Sequence, residues 1–185
     1  YYAGASGTTA NRNVVIGNQA GQEITSTRQS VVIGASAGRY LEDGRFNVLM
    51  GVSAGGKITD GESNTMLGSW AGGEGDKGDG SVGIGYGACY YPEGTYNTFI
   101  GYNAGYGVDG TRTANANVGI GKEALANITS ATNNVAVGVL AGYEPTTGAG
   151  NTYLGYQTGR QSKVGAQNTA LGQQALYTNV SGNYN

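Results

Sequence analysis

One spacing dominates this chain: a glycine that follows an aliphatic residue or Met returns about every seventeen positions. The stretches NVVIGNQAG (residues 13–21) and SVVIGASAG (residues 30–38) show the pattern one period apart. Seven of the nine intervals are 17 residues, and the other two are 16 and 20. Ten units in register exclude a chance effect of glycine content, so the repeat sets the fold. The glycines are Gly17, Gly34, Gly51, Gly68, Gly85, Gly101, Gly121, Gly138, Gly155 and Gly172.

We number each unit from the Asn or Ser four residues before its glycine, which is position 0. Coils 1 to 10 begin at Asn13, Ser30, Asn47, Asn64, Ser81, Asn97, Asn117, Asn134, Asn151 and Asn168. Position 1 is always Val or Thr, position 3 is always aliphatic or Met, and position 7 is Ala in nine coils. Positions 1 and 3 share one face of an extended segment, whereas position 2 points the other way and is never charged. We therefore predict that positions 1 and 3 form the interior and that position 2 forms a second apolar face.

The repeat predicts an all-β fold, a parallel β-solenoid of about eleven 17-residue coils. A weaker apolar point at position 11 (Ile24, Leu41, Ile58, Val108 and Ile128) predicts a second short strand in each coil. A helix is excluded because glycine, 36 of 185 residues, recurs too often for a helix interior. One unit buries too few apolar side chains to fold alone, so the coils must stack, with the Asn/Ser column as an amide ladder.

The whole chain, residues 1–185, is predicted to be a single repeat array. Both ends fall inside a repeat, which leads us to expect an excerpt from a longer filament. The interior of one coil is thin, and three chains around a common axis would use the position 2 face to thicken it. We therefore expect a homotrimer. A monomeric solenoid with an apolar binding stripe is the alternative.

Composition narrows the function classes. A net charge of −2 gives no basic surface for nucleic acid or an anionic membrane, and no apolar run reaches the roughly 20 residues that cross a bilayer. The chain has no histidine, so neither a Ser-His or Cys-His pair nor a His metal ligand can form. The single Cys89 excludes an internal disulfide. We predict no catalytic residue, no metal site, no cofactor and no enzymatic activity.

Two stretches imitate ligand motifs. GGEGDKGDG (residues 72–80) resembles a calcium-binding glycine-rich repeat, but its carboxylates occur in one coil only, which favours a solvated loop. GIGYGA (residues 83–88) imitates a dinucleotide loop, but no helix pattern follows it. The pairs Glu42 with Asp43 and Asp60 with Glu62 lie too close in sequence to act as acid and base across a sugar.

Aromatic residues are concentrated in coils 4 to 6. Equal positions in adjacent coils predict stacking of Tyr86 on Tyr102 and of Tyr90 on Tyr106. Aromatic faces suit a glycan or a protein receptor, and stacked tyrosines that only stabilise the rod are the alternative. The candidate binding residues are Trp70, Tyr86, Tyr90, Tyr91, Tyr96, Tyr102 and Tyr106.

The repeats also resemble known families. NVVIGNQAG, SVVIGASAG and NVAVGVLAG are similar to head repeats of trimeric autotransporter adhesins. NTFIGYNAG, NTYLGYQTG and NTALGQQALYTNVSGNYN (residues 168–185) are similar to repeats of phage tail fibres and related bacterial surface proteins. The resemblance implies a left-handed trimeric β-roll that serves as the shaft or head of an extracellular fibre, on a virion tail or a bacterial surface. The constant 17-residue unit, longer than a typical adhesin head unit, favours the tail-fibre kind.

We therefore predict a non-enzymatic fibre or adhesin segment for host or cell-surface attachment, with an autotransporter head as the alternative. Two other classes stay open: an ice-binding β-solenoid, which needs a flat file of residues such as Thr at position 1, and a glycan-depolymerising spike, which needs a carboxylate cleft.

Overall fold

The computed structural model describes residues 9–75, 78–91, 94–107 and 113–185 and shows a parallel β-solenoid. Its ten strands form one parallel sheet in sequence order. They are β1 (Val14–Ile16), β2 (Val31–Ile33), β3 (Val48–Met50), β4 (Thr65–Leu67), β5 (Val82–Ile84), β6 (Thr98–Ile100), β7 (Val118–Ile120), β8 (Val135–Val137), β9 (Thr152–Leu154) and β10 (Thr169–Leu171). No helix in the described ranges is long and apolar enough to cross a membrane. The predicted all-β solenoid is confirmed.

Each strand pairs with the same three positions of the next coil, for example Val31 with Val48 and Val32 with Leu49. This register is the 17-residue period seen in space, and the ten strands make about nine turns rather than eleven. The predicted second strand was wrong. Position 11 is buried in the four coils that place a described apolar residue there (Ile24, Leu41, Ile58 and Ile128), but its backbone is not in a strand. Val108 lies outside the described residues.

The prediction of which strand face is interior was also wrong. Position 2 points into the coil: Val32, Leu49, Met66, Ala136 and Tyr153 have no exposed surface. Positions 1 and 3 lie on the outside of the sheet and are half-buried or exposed in the single chain. We call the side chains at positions 1 and 3 of the ten strands the outer face. Alternation fixes which residues share a face, but the bends on both sides of the strand decide which face closes inward.

The side chains at positions 2 and 8 fill the interior, and we call them the inner column. Where one of the two positions has a large residue, the other has a small one. A Cβ added at Gly105 or Gly159, both at position 8, would lie 2.3 Å from the ring of Phe99 or Tyr153 at position 2 of the same coil. Coil 7 reverses the arrangement, with Gly119 at position 2 and the fully buried Leu125 at position 8. Coil 5 does the same with Gly83 and Cys89. Most coils thus hold one larger side chain at one of the two positions. Coil 8 has only Ala136 and Gly142 there, and the side chains of Leu125 and Tyr153 from the neighbouring coils lie beside Gly142 instead, at 2.8 and 3.0 Å from an added Cβ.

Position 4 must be glycine because consecutive coils touch there. Gly34 has φ +135°, and a Cβ on it would lie 2.3 Å from the carbonyl oxygen of Gly51 in the next coil. Positive φ alone does not exclude a side chain, but contact with the next backbone does. The same contact recurs at position 4 of coils 1 to 9 and accounts for the glycine there, whereas a Cβ on Gly172 in coil 10 meets no atom within 4 Å.

The predicted amide ladder is present at position 0. Asn134 donates from Nδ2 to the carbonyl of Gly148 (2.9 Å), and its Oδ1 accepts the backbone N–H of Asn151 (2.9 Å). Asn151 repeats the pattern with Gly165 and Asn168. Each buried amide therefore closes its own coil and joins it to the next, which satisfies backbone groups that water cannot reach.

Candidate functional site

A groove lies outside the sheet, on the bends that follow strands β4, β5 and β6. Its cavity has a volume of about 270 Å³. We call it the aromatic groove, and its lining residues are Trp70, Tyr86, Gly87, Tyr90, Tyr102, Asn103 and Tyr106. They occupy positions 5, 6 and 9 of successive coils, so the stacking of coils brings them together.

Two stacked tyrosine pairs form the sides of the groove. The rings of Tyr86 and Tyr102 lie 5.4 Å apart with an 11° angle between their planes. Those of Tyr90 and Tyr106 lie 4.6 Å apart and are almost parallel, at 3°. Both predicted stacks are therefore present. The separations follow from the spacing of about 4.8 Å between paired strands, which repeats any side chain at the same position of adjacent coils.

Trp70 closes one end of the groove. It lies at position 6, where the backbone turns left-handed (φ 61° at Trp70), and the equivalent Gly87 and Asn103 form the floor. The Trp70 ring is tilted 48° to that of Tyr90, at 6.2 Å. A Cβ on Gly73 would lie 3.1 Å from the Tyr90 ring and 3.2 Å from the Trp70 ring, so this glycine gives both rings their room.

The floor carries an acceptor with no donor. The Oδ1 of Asn103 is buried and has no hydrogen-bond partner in the described part of the chain. It lies where a Cβ on Gly87 would meet it, at 2.4 Å, so an alanine at residue 87 would displace the amide. A buried amide oxygen without a donor destabilises a fold by about 1–3 kcal/mol, and only a rotation of the Asn103 amide away from Gly87 would let a ligand hydroxyl reach it.

A charged pair supports the side of the groove formed by Tyr90. Burial, and after it the charge of Glu74, raises the pKa of Tyr90 to about 12, and the phenol is hydrogen-bonded to the Glu74 carboxylate. Glu74 also pairs with Lys57. The hydrogen bond to Glu74 raises the pKa of Lys57 in turn. At neutral pH Tyr90 is thus a protonated phenol, held in place by a compensated ion pair.

The depression continues along the rod beyond Trp70. A second cavity, of about 200 Å³, shares Trp70 with the aromatic groove and extends to Arg39 and Tyr40 in coil 2. It exists because position 9 is glycine in coils 3 and 4 (Gly56 and Gly73), between Arg39 and Tyr90 at the same position of coils 2 and 5. We call this second cavity the polar extension.

The structure brings six of the seven predicted aromatic residues together and separates one. Tyr91 contacts Tyr90 edge to face at 4.7 Å and supports it from behind. Tyr96 is 70% exposed and packs over Gly80, just before strand β6, on the other side of that strand from the groove. Tyr96 therefore does not belong to the site.

Sequence reasoning missed Gly87, Asn103 and the Lys57–Glu74 pair. The sequence did contain one signal for a cavity. Position 9 is glycine in coils 3 and 4 but Arg or Tyr in the coils on either side, and a missing side chain in a stacked column leaves a gap.

The carboxylates of the GGEGDKGDG stretch do not converge. Glu74 pairs with Lys57, and Asp79 accepts the backbone N–H of Glu62 at 2.8 Å. Asp76 lies outside the described residues. Over the described ranges no group of three or more His, Cys, Asp or Glu side chains is placed to hold a metal ion.

The site offers ring faces, phenol hydroxyls and one amide, all of which recognise a ligand by contact rather than by reaction. Comparison of the chain with protein-family models, with curated proteins and with solved structures finds no match, so the chemistry of the site is inferred from its geometry.

Proposed function

We propose that this chain is a non-enzymatic segment of a homotrimeric surface fibre, whose role is attachment to a host or cell surface. The outer face carries the proposal. Every residue at positions 1 and 3 of the ten strands is Val, Thr, Ile, Leu or Met, with no charge in twenty positions. The side chains of Ile16, Leu154 and Leu171 are 57%, 46% and 73% exposed in the single chain.

Such a surface favours association. Nine steps of about 4.8 Å make the face about 43 Å long, and three strand residues make it about 10 Å wide. Monomeric proteins rarely expose contiguous apolar patches larger than a few hundred Å². A second copy of this chain carries the same spacing in the same register, so its face matches along the whole length.

Three copies suit the shape of this face better than two. The face is a narrow strip bounded by bends, and three narrow strips around one axis enclose a continuous apolar core. The resemblance of the repeats to tail-fibre and trimeric adhesin repeats supports the same arrangement. The position 2 face, from which the sequence argument for a trimer began, is used inside each coil, and the proposal now rests on positions 1 and 3.

A stiff rod with an apolar seam suits a fibre shaft or head in an extracellular setting. The tail-fibre reading is preferred because the 17-residue unit, which recurs in seven of the nine intervals, is longer than a typical adhesin head unit, and an autotransporter head is the alternative. The aromatic groove lies on the bends rather than on the outer face. It would therefore stay accessible in the trimer and could take a glycan or protein receptor.

Sedimentation equilibrium tests the assembly. The chain has a mass of 18.8 kDa, and we expect a native mass three times as large. The double variant Ile120→Asp/Leu154→Asp places charges in the seam and should sediment as one chain with an unchanged circular dichroism spectrum. Val164→Asp is the matched control, since Val164 is 50% exposed in the same coil as Leu154 but lies off the outer face. A single-chain mass for the unchanged protein would overturn the proposed trimer.

One observation favours ice binding as a second candidate function. Position 1 lies on the exposed side of a regular sheet and includes Thr65, Thr98, Thr152 and Thr169. This placement removes the objection that the threonine file is buried in the coil. Thermal hysteresis together with a single-chain mass would support ice binding, and absence of thermal hysteresis would exclude it.

A further inference from the structure

We propose that the aromatic groove and the polar extension together bind a linear, uncharged oligosaccharide laid along the rod. The inference rests on the proposed attachment function and names the chemical class of the receptor. Three features of the described residues carry it: the shape of the depression, the balance of its charges and the unpaired acceptor at its floor.

The depression is long and shallow. Position 9 advances by four coils from Arg39 to Tyr106, which is about 19 Å at about 4.8 Å per coil. The two cavities along it hold about 270 and about 200 Å³ and meet at Trp70. Compact drug-like ligands occupy single enclosed pockets of about 300–1,000 Å³. An extended chain of small rings fits this depression better than one compact molecule.

One of the two cations in the polar extension is neutralised by an acidic partner, and the other is held by uncharged groups. Lys57 is paired with Glu74, and Arg39 lies over the Tyr40 ring at 5.1 Å while its Nε donates to Gln22 at 3.2 Å. Among the residues that the structure describes, no charged side chain lines the aromatic groove itself. An uncharged ligand leaves the Lys57–Glu74 pair intact, and Arg39, which lies over a neutral ring, is at the far end of the depression from the aromatic groove.

The polar groups around the rings suit a polyhydroxylated ligand. Four tyrosines place phenol groups beside the groove, and the raised pKa of Tyr90 keeps its phenol protonated well above neutral pH. A sugar ring has an apolar C–H face for an aromatic ring and hydroxyls at its rim for these groups. Rotation of the Asn103 amide would turn its unpaired Oδ1 toward such a hydroxyl, which would supply the missing donor.

A peptide ligand fits less well because backbone groups along the groove are already paired between coils. The backbone N–H of Glu74 donates to the carbonyl oxygen of Tyr90 at 2.9 Å. The N–H of Gly87 donates to the carbonyl of Ser69 at 3.0 Å, and that of Asn103 donates to the carbonyl of Tyr86 at 2.9 Å. A peptide added as a strand needs free backbone groups of this kind. A glycan does not, since its recognition uses side-chain rings and hydroxyls.

The groove has its own reporter, since Trp70 is the only tryptophan in the 185-residue chain. We would titrate the chain with maltohexaose, cellohexaose, chitohexaose and delipidated neutral bacterial O-polysaccharides, with a mixture of uncharged hexapeptides as the competing class. At least one glycan should shift and quench Trp70 emission in a saturable way. Tyr86→Ala should weaken that binding about tenfold or more, because it removes one side of the groove.

Tyr156→Ala is the matched control. Tyr156 also lies at position 5, and it is 46% exposed against 52% for Tyr86, but it is in coil 9, away from the groove. Its loss should leave binding unchanged, and an equal loss in both variants would contradict the proposed site. No response to any glycan, or a response to peptides alone, would overturn the proposal.

Sedimentation of the same samples separates this proposal from the proposed fibre. A trimer that binds no glycan leaves the fibre proposal standing and removes only the glycan. A single chain that binds glycan through Tyr86 keeps the groove and removes the trimer.

Discussion

The inner column and the outer face repeat with the same period and are both uncharged, but the inner column is buried, and residue sizes compensate one another only there. In the inner column, size at position 2 is exchanged for size at position 8, as in Leu49 with Gly55 and Gly119 with Leu125. On the outer face no such exchange occurs, and position 3 stays large in every coil from Ile16 to Leu171. A closed space imposes compensation between residues, whereas an exposed face of the same strands needs only to stay apolar.

Exchanging the inner residues of one coil tests this compensation most strongly. Gly55→Leu places a side chain where a Cβ alone would lie 2.7 Å from Leu49, and we expect a loss of about 3 kcal/mol from overpacking and left-handed strain. Leu49→Gly should lose about 3–5 kcal/mol through the cavity and the added chain entropy. The double variant reproduces the arrangement of coil 7 and should recover about 3 kcal/mol relative to the sum.

Urea unfolding of the four proteins gives the coupling energy directly. A double variant that is destabilised by the full sum of the two single losses would show that positions 2 and 8 do not share one space. The inner column and the outer face would then differ only in exposure to solvent.

Two adjacent residues of strand β9 allow a direct comparison of the inner column with the outer face. Tyr153 is fully buried and donates from its hydroxyl to Ser162 Oγ at 2.7 Å, so Tyr153→Ala should lose about 3–5 kcal/mol at any protein concentration. Leu154→Ala should lose less than about 1 kcal/mol in the dissociated chain, and more as protein concentration rises, because association is linked to folding. Urea unfolding at two concentrations a hundredfold apart measures both effects. A loss that is independent of concentration for Leu154→Ala would argue against a shared seam.

The repeat period allowed the solenoid and its register to be predicted, but not the faces of the strand. Alternation shows that positions 1 and 3 share one face of the strand and that position 2 lies on the other, but it does not show which face points into the coil. The sequence did contain a signal, since Gly83 occurs with Cys89 and Gly119 with Leu125, whereas most other coils have a larger residue at position 2 and glycine at position 8. The second strand failed for a related reason: Leu41 is buried at position 11, but a buried residue in a bend needs no ladder partner.

The site was predictable where it depended on the period and unpredictable where it depended on the bends. Tyr86 and Tyr102 had to stack because they share a position in adjacent coils. Tyr96 could not be excluded because the side of the strand on which it lies depends on bend geometry. Asn103 was missed because its role follows from an empty neighbour, Gly87, rather than from its own residue type.

The smallest expected effect concerns the one reactive group in the inner column. Burial raises the pKa of the Cys89 thiol to about 12, against an ordinary value of about 9. At pH 8 the folded chain should hold about a thousandfold less Cys89 thiolate than the unfolded chain. The neutral thiol is favoured by folding, so its contribution to the free energy of unfolding is constant below about pH 9 and falls as the pH rises toward 12.

Alkylation by iodoacetamide at pH 8, followed by mass spectrometry, compares a thiol in the inner column with one on an exposed bend. Cys89 should react only through opening of its coil and at the ordinary rate in urea. The control is Val139→Cys in a Cys89→Ala chain, since Val139 is 41% exposed on the bend after strand β8 and should react at the rate of a free thiol. Equal rates for the two cysteines in the folded protein would place Cys89 in contact with solvent. The exchange of Gly83 and Cys89 would then no longer describe a closed interior.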